Sequence, residues 1–177
     1  MSDSDYVEDP CVSPVWYGLN CSDQVINGKT HPYYLNLSYS GLSGQISANL
    51  GKVTVLTSLD LRGNSIVGKI PSSFYLFQDL ETLDLSLNGL TGPVPSTLTA
   101  LTSLKVLDLH NNSLTGPALA TISHLTTLTS LNVQYNSLSG ALPSKFGALN
   151  NLMTAVLANN NFSGAIPPSL GSLSNLK

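Results

Sequence analysis

The chain matches itself at an offset of 24 residues, from residue 32 to its last residue, without an insertion. Five asparagines mark the register, Asn64, Asn88, Asn112, Asn136 and Asn160, with Ser40 in the first position. Apolar columns keep step with them. Leu56, Leu80, Leu104, Leu128 and Leu152 form one, and Leu35, Leu59, Leu83, Leu107 and Leu131 a second. Leu37, Leu61, Leu85, Leu109, Val133 and Leu157 form a third, and Leu42, Ile66, Leu90, Leu114, Leu138 and Phe162 a fourth. Glycines at 44, 68, 92, 116, 140 and 164 follow, then Pro71, Pro95, Pro143 and Pro167. A fixed period of this length marks stacked units that cannot bury their apolar residues alone.

Within each unit the xLxL segment alternates with period two, which predicts a short strand with one buried face. Stacking the units aligns these strands into a parallel sheet over a continuous core. The Asn column falls where the chain leaves the strand. There an amide can donate to and accept from turn backbone that would otherwise be buried unpaired, at about 1–3 kcal/mol per lost partner. The glycines suit a positive φ or a close backbone approach, and the prolines fix φ where the return segment starts. Ala118 and Leu119 stand where the fourth unit should have Ile and Pro, so its return segment is expected to be looser around residues 116–122.

Composition narrows the function. Leucine makes up 32 of 177 residues, which leaves ample material for a core. Only 10% of residues are charged, the net charge is -3 and no basic run exists. Neither a nucleic-acid footprint nor a polybasic membrane anchor is therefore available. No stretch approaches the roughly 18 apolar residues of a membrane span, and the start, MSDSDYVEDP, is acidic and polar. Cys11 and Cys21 have a spacing that suits no usual zinc or redox motif and read as a local disulfide. His31 and His124 have no Cys or His at ligand spacing, so neither a metal nor a cofactor is expected. No phosphate loop, nucleophile elbow or dinucleotide fingerprint occurs.

The unit LxxLxLxxNxLxGxIPxxLGxL resembles the plant-type leucine-rich repeat, in segments such as LTSLDLRGNSIVGKIPSSF and LETLDLSLNGLTGPVPSTL. Residues 9–22, DPCVSPVWYGLNCS, resemble the N-terminal cap of that subclass through Cys11, Trp16, Gly18 and Cys21. The resemblance implies an α/β-type solenoid, a right-handed superhelix with a concave parallel sheet. It implies a cap over residues 1–31 closed by the disulfide, then a solenoid over 32–177. Six full repeats would begin at 32, 56, 80, 104, 128 and 152, with a truncated seventh at 176. It further implies an extracellular recognition module, the ligand-binding ectodomain of a receptor-like kinase or receptor-like protein. Its partners would be a peptide or protein ligand and a co-receptor ectodomain, with no nucleic acid. Such a chain is no enzyme itself, and any kinase domain would lie outside it. The alternatives are a free secreted inhibitor resembling polygalacturonase-inhibiting proteins, or a cell-wall-associated scaffold. A disulfide cap belongs in an oxidising compartment. The chain is therefore expected to be a piece of a longer secreted or membrane-anchored protein.

The outward positions of the strands supply the candidate ligand-binding residues Tyr39, Asp60, Arg62, Asp84, Leu87, Asp108, His110, Asn132, Gln134 and Tyr135. Asp60, Asp84 and Asp108 stack as neighbours, and like charges about 5 Å apart repel by roughly 0.8 kcal/mol even in water. They read either as an acidic stripe for a basic partner or as a feature of the repeat answered by Arg62, serine hydroxyls and solvent. A paired-carboxylate hydrolase would need an apolar pocket that an open ladder does not offer. Four sequons occur, at Asn20, Asn36, Asn111 and Asn161. Glycans at Asn36 or Asn111 would obstruct the first and fourth coils, and one at Asn161 would be harmless.

Overall fold

The computed structural model describes residues 19–26 and 29–177, with side chains from residue 34 onward. Its strands in chain order are β1 (Leu19–Ile26), β2 (Lys29–Asn36), β3 (Ser43–Gln45), β4 (Ser58–Asp60), β5 (Ser65–Gly68), β6 (Thr82–Asp84), β7 (Gly89–Pro93), β8 (Val106–Asp108), β9 (Ser113–Gly116), β10 (Ser130–Asn132), β11 (Ser137–Ala141), β12 (Thr154–Val156) and β13 (Asn161–Ser163). Strands β1, β2, β4, β6, β8, β10 and β12 form one sheet in that order, parallel throughout except for the antiparallel pair β1 and β2. The register steps by one period: Asp60 lies opposite Asp84, Asp84 opposite Asp108, and Leu59 opposite Leu83. Strand β2 runs across the expected boundary at residues 31 and 32, so cap and first coil share a backbone strand. Cys11 and Trp16 of the expected cap lie outside the described residues, and Cys21, Asn20 and His31 are described in backbone only.

The fold is an α/β solenoid of parallel strands in two sheets. The second sheet, β3, β5, β7, β9, β11 and β13, is parallel and was not foreseen from the sequence. It forms where the chain leaves the Asn turn and one inward residue, such as Leu114, is flanked by exposed Ser and Thr. The glycine column sits within it or at its end with φ between +75° and +88°, and here glycine avoids the strain an L side chain would carry.

The return segments are 3₁₀ helices: Ala48–Lys52, Ser72–Leu76, Ser96–Ala100, Ser144–Ala148 and Pro168–Ser172. Pro71, Pro95, Pro143 and Pro167 precede four of them with φ of -63°, -66°, -71° and -69°, the value their rings impose. In the first coil Ser47 takes this place, and its hydroxyl accepts from the Asn49 amide at 3.2 Å. The fourth unit departs from expectation. Residues 118–122 are not loosened; they form the α-helix α1 (Ala118–Ile122), with Ala118, Leu119 and Ile122 buried. Ala and Leu are strong helix formers, and with no proline at 119 the chain closes a full turn, Ser123 N donating to Leu119 O at 3.0 Å.

Leucine, isoleucine and phenylalanine from successive coils build one core from Leu56 to Leu173, while Leu35, Leu37, Ile46, Leu50 and Val53 of the first coil are partly buried against it. Phe74 and Phe77 stack within it at a centroid distance of 4.9 Å. Side chains also tie each coil to the one before. Ser73, Thr97 and Ser169 donate their hydroxyls to Ala48 O, Ser72 O and Ser144 O at 2.7, 2.9 and 2.7 Å. Thr127, Asn151 and Asn175 make a second such series, to Thr102 O, Thr126 O and Asn150 O at 3.0, 3.0 and 2.7 Å.

Candidate ligand-binding face

Five strands of the first sheet, β2, β4, β6, β8 and β10, end in the same device, whereas β12 ends in Val156. The side-chain oxygen of the last residue turns back to accept the backbone N–H two residues on. Asn36 Oδ1 takes Ser38 N at 2.9 Å, Asp60 takes Arg62 N at 2.9 Å, Asp84 takes Ser86 N at 2.9 Å and Asp108 takes His110 N at 3.0 Å. Asn132 takes Gln134 N at 3.2 Å. This is the local bond that Asp and Asn make more readily than other residues, and it accounts for their column.

Further donors answer some of the same oxygens. Ser86 Oγ donates to Asp84 Oδ1 at 2.6 Å, His110 Nδ1 lies 2.6 Å from Asp108 Oδ1, and Asn132 Nδ2 donates to Asp108 Oδ2 at 3.3 Å. Arg62 answers Asp60 through its backbone N–H, whereas its guanidinium lies 5.2 Å from the Tyr39 ring centroid and its Nε donates to Tyr39 Oη at 3.2 Å. That bond, and after it the Asp84 and Asp60 charges, favour its cationic form. Burial pushes the Asp84 carboxyl above its usual range. The Ser86 bonds oppose this, and the Asp108 and Asp60 charges add to it.

Ser86, whose hydroxyl bonds Asp84, is fully buried. One sequence expectation needs correction, the placing of Tyr39, Leu87 and Tyr135 on the strands. The column Tyr39, Gly63, Leu87, Asn111, Tyr135 and Asn159 lies beyond the strands, in the left-handed region, with φ from 51° to 68°. Three of these six are neither Gly nor Asn, and each such residue costs on the order of 1 kcal/mol. Their amides continue the ladder: Tyr39 N donates to Arg62 O at 2.8 Å, Leu87 N to His110 O at 2.9 Å and Tyr135 N to Ala158 O at 3.2 Å. Tyr39 and Tyr135 are 62% and 51% exposed.

Behind this column stand the asparagines. Asn112 Oδ1 accepts from Leu90 N at 2.9 Å, and its Nδ2 reaches Leu85 O, Leu109 O and His110 O at 3.0, 3.1 and 3.3 Å. Asn64, Asn88, Asn136 and Asn160 repeat the pattern, each amide bridging its own coil and the previous one. Of the sequons, Asn36 uses both ends of its side chain, its Nδ2 donating to Tyr34 Oη at 2.9 Å, while Asn111 and Asn161 are exposed.

Among the described residues no three His, Cys, Asp or Glu are grouped to hold a metal ion, and no helix is long and apolar enough to cross a membrane. The described cavities lie away from this face. One of about 810 Å³ runs between the second sheet and the return segments, lined by Gln45, Ile70, Pro71, Pro93 and Pro95 among others.

The leucine-rich repeat family models match residues 54–114, 78–138 and 151–173. The chain is 40% identical over 58 residues to the LRR receptor-like serine/threonine-protein kinase GSO2 of Arabidopsis thaliana, covering 33% of this chain and 4% of that protein. Among solved structures it resembles the plant peptide hormone receptor RGFR1 in complex with RGF2, with TM-score 0.78 and 35% identity over 80% of this chain and 23% of that one. It also resembles the BIR3–SERK2 complex from Arabidopsis thaliana, with TM-score 0.76 and 30% identity over 95% of this chain and 85% of the other. The chain thus spans a small part of the kinase and under a quarter of the hormone receptor.

Proposed function

Because the chain belongs to the leucine-rich repeat family, as plant receptor ectodomains do, we propose that it is the ligand-recognition part of a receptor-like kinase or receptor-like protein. Its ligand is a peptide or a protein ectodomain, held on the outward side of the first sheet. Tyr39, Asp60, Arg62, Asp84, Leu87, Asp108, His110, Asn132, Gln134 and Tyr135 make the contacts. The observation that supports this most is the in-register row of Asx turns. It presents side chains about 4.8 Å apart on a backbone locked in coils one to five, so little order is lost when a partner lies across them. The likeness to a hormone receptor solved with RGF2 and to the BIR3–SERK2 complex adds to it. On this reading the chain works on the extracellular side of the plasma membrane, Cys11 and Cys21 pair in the cap, and Asn20, Asn36, Asn111 and Asn161 are its candidate glycan sites.

The test is hydrogen exchange of the chain against a panel of secreted plant peptides and receptor ectodomains. Protection on partner addition that is confined to residues 36–39, 58–62, 82–87, 106–111 and 130–135 is expected. Protection confined to the second sheet or the return segments, or none with any panel member, overturns the reading.

A further inference from the structure

The five ladder asparagines differ in the residue that follows them. Asn64, Asn112 and Asn136 precede serine and Asn160 precedes Asn161, whereas Asn88 alone of the five precedes a glycine. That glycine answers a local contact. A Cβ on Gly89 would lie 3.2 Å from Val67 Cγ1 and 3.3 Å from Ile66 O, and Val67 stands opposite it in the register of β5 and β7. In other coils Ser65, Ser113 and Ser137 hold this position, opposite Ser43, Thr91 and Thr115.

An asparagine before glycine is open to attack by its own backbone. The amide nitrogen of the next residue bonds to Cγ and closes a five-membered succinimide, and Nδ2 leaves as ammonia. Water then opens the ring at either carbonyl and leaves aspartate or isoaspartate. Glycine offers the least hindered nitrogen, because no Cβ crowds the approach. In the closed solenoid Asn88 is held out of this reaction. Its Nδ2 donates to Leu61 O, Leu85 O and Ser86 O at 3.0, 3.2 and 3.0 Å, and its Oδ1 accepts from Ile66 N at 3.0 Å. Closing the ring turns Cγ onto Gly89 N and expels Nδ2, so bonds that join coil two to coil three must break first.

We propose that Asn88–Gly89 is a site of spontaneous deamidation whose rate is set by the parting of coils two and three, with water as the only co-reactant. The other ladder asparagines share the bonds and lack the unhindered nitrogen. Once the reaction has run, the join does not re-form as before. A carboxylate then faces three carbonyls where an amide donated, and isoaspartate also lengthens the main chain by one carbon. The change falls next to Leu87 and close to Ser86, whose N–H and hydroxyl both bond Asp84, so it loosens the first sheet's outward side from within.

The test incubates the full chain at mildly alkaline pH and follows its tryptic peptides by mass spectrometry; in peptide 70–105 Asn88 is the only asparagine. Asn88 is expected to deamidate several-fold faster than Asn64, Asn112, Asn136 or Asn160. In the chain it should react at least about tenfold more slowly than in the isolated peptide 70–105, and speed up in urea below the unfolding transition, in step with hydrogen exchange of the amides around it. Gly89→Ser should abolish the excess over the other asparagines. So should Gly89→Ser/Val67→Thr, which restores the pairing of Thr91 with Ser113, and circular-dichroism melts check that both variants fold. The deamidated chain, separated by ion exchange, should melt below its parent. Reaction at Asn88 no faster than at the other ladder asparagines, equal rates in chain and peptide, or a rate that neither variant alters overturns the proposal. An equal melt overturns the claimed loosening of the face.

Discussion

The Tyr39 ring lies across Gly63 of the next coil, so near that a Cβ built on Gly63 would fall 2.3 Å from Tyr39 Cε1, and Gly63 itself sits at φ +68°. Two costs meet in one residue, a left-handed backbone and a covering ring. Because Tyr39 is an exposed, movable side chain, the backbone cost dominates. Gly63→Ala is expected to destabilise by about 1–2 kcal/mol in denaturant unfolding. The same loss, within about 0.5 kcal/mol, should persist in a Tyr39→Ala background. A penalty that vanishes there would put the strain in the ring contact instead.

Asn112 holds four backbone groups from two coils. Asn112→Ala should cost about 2–4 kcal/mol, since each orphaned group is worth roughly 1–3 kcal/mol and relaxation recovers part. Asn112→Asp should be as damaging or worse, because it sets a carboxylate against three carbonyls where the amide donated. A milder Asp variant would show that acceptance from Leu90, and not donation, carries the ladder.

Asp84 has its folded-state carboxyl pushed above the ordinary range, mainly by burial. Below that range both folded and unfolded chains are protonated, and the full contribution of the neutral group is present. As pH rises, the unfolded chain ionises first, and stability is lost until the folded group ionises too. Asp84→Asn keeps the oxygen that accepts Ser86 N and removes the charge beside Asp60 and Asp108. It should stabilise the fold modestly at pH 7, solvent screening of this partly exposed group keeping the gain below about 1 kcal/mol, and leave stability nearly unchanged near pH 3. Chemical unfolding at the two pH values checks both the sign and the window.

Leu119 stands where the repeat calls for proline, and restoring the pattern would ordinarily be expected to stabilise. The buried side chain and the turn of α1 argue the opposite. Leu119→Pro should cost about 2–4 kcal/mol by emptying a core position, read as a fall in thermal midpoint. A rise would mean that the fourth return segment can adopt the 3₁₀ form of its neighbours without loss.

The period was legible because identical contacts recur: a leucine column is visible wherever the same inward direction returns every 24 residues. The parallel first sheet and the asparagine turns followed from it. The second sheet did not, since its strands show a single inward residue among Ser, Thr and Gly, too short a run for alternation to register. The Asp column was visible as a column, but whether it faced a partner or its own backbone depended on side-chain rotation. The bond that Arg62 N donates to Asp60 settles that for Oδ1. The left-handed state of Leu87 and Tyr135 left no trace, because leucine and tyrosine are not the residues that announce a positive φ.

Each ladder asparagine belongs to two coils at once, and this sets how the chain comes apart. A coil that opens withdraws the carbonyls its neighbour's amide was using, so opening one unit lowers the cost of opening the next. Unfolding should therefore travel along the axis as a moving boundary. The turns of coils two to five, held by Asn64, Asn88, Asn112 and Asn136 and flanked on both sides, should exchange their amide hydrogens last and nearly together.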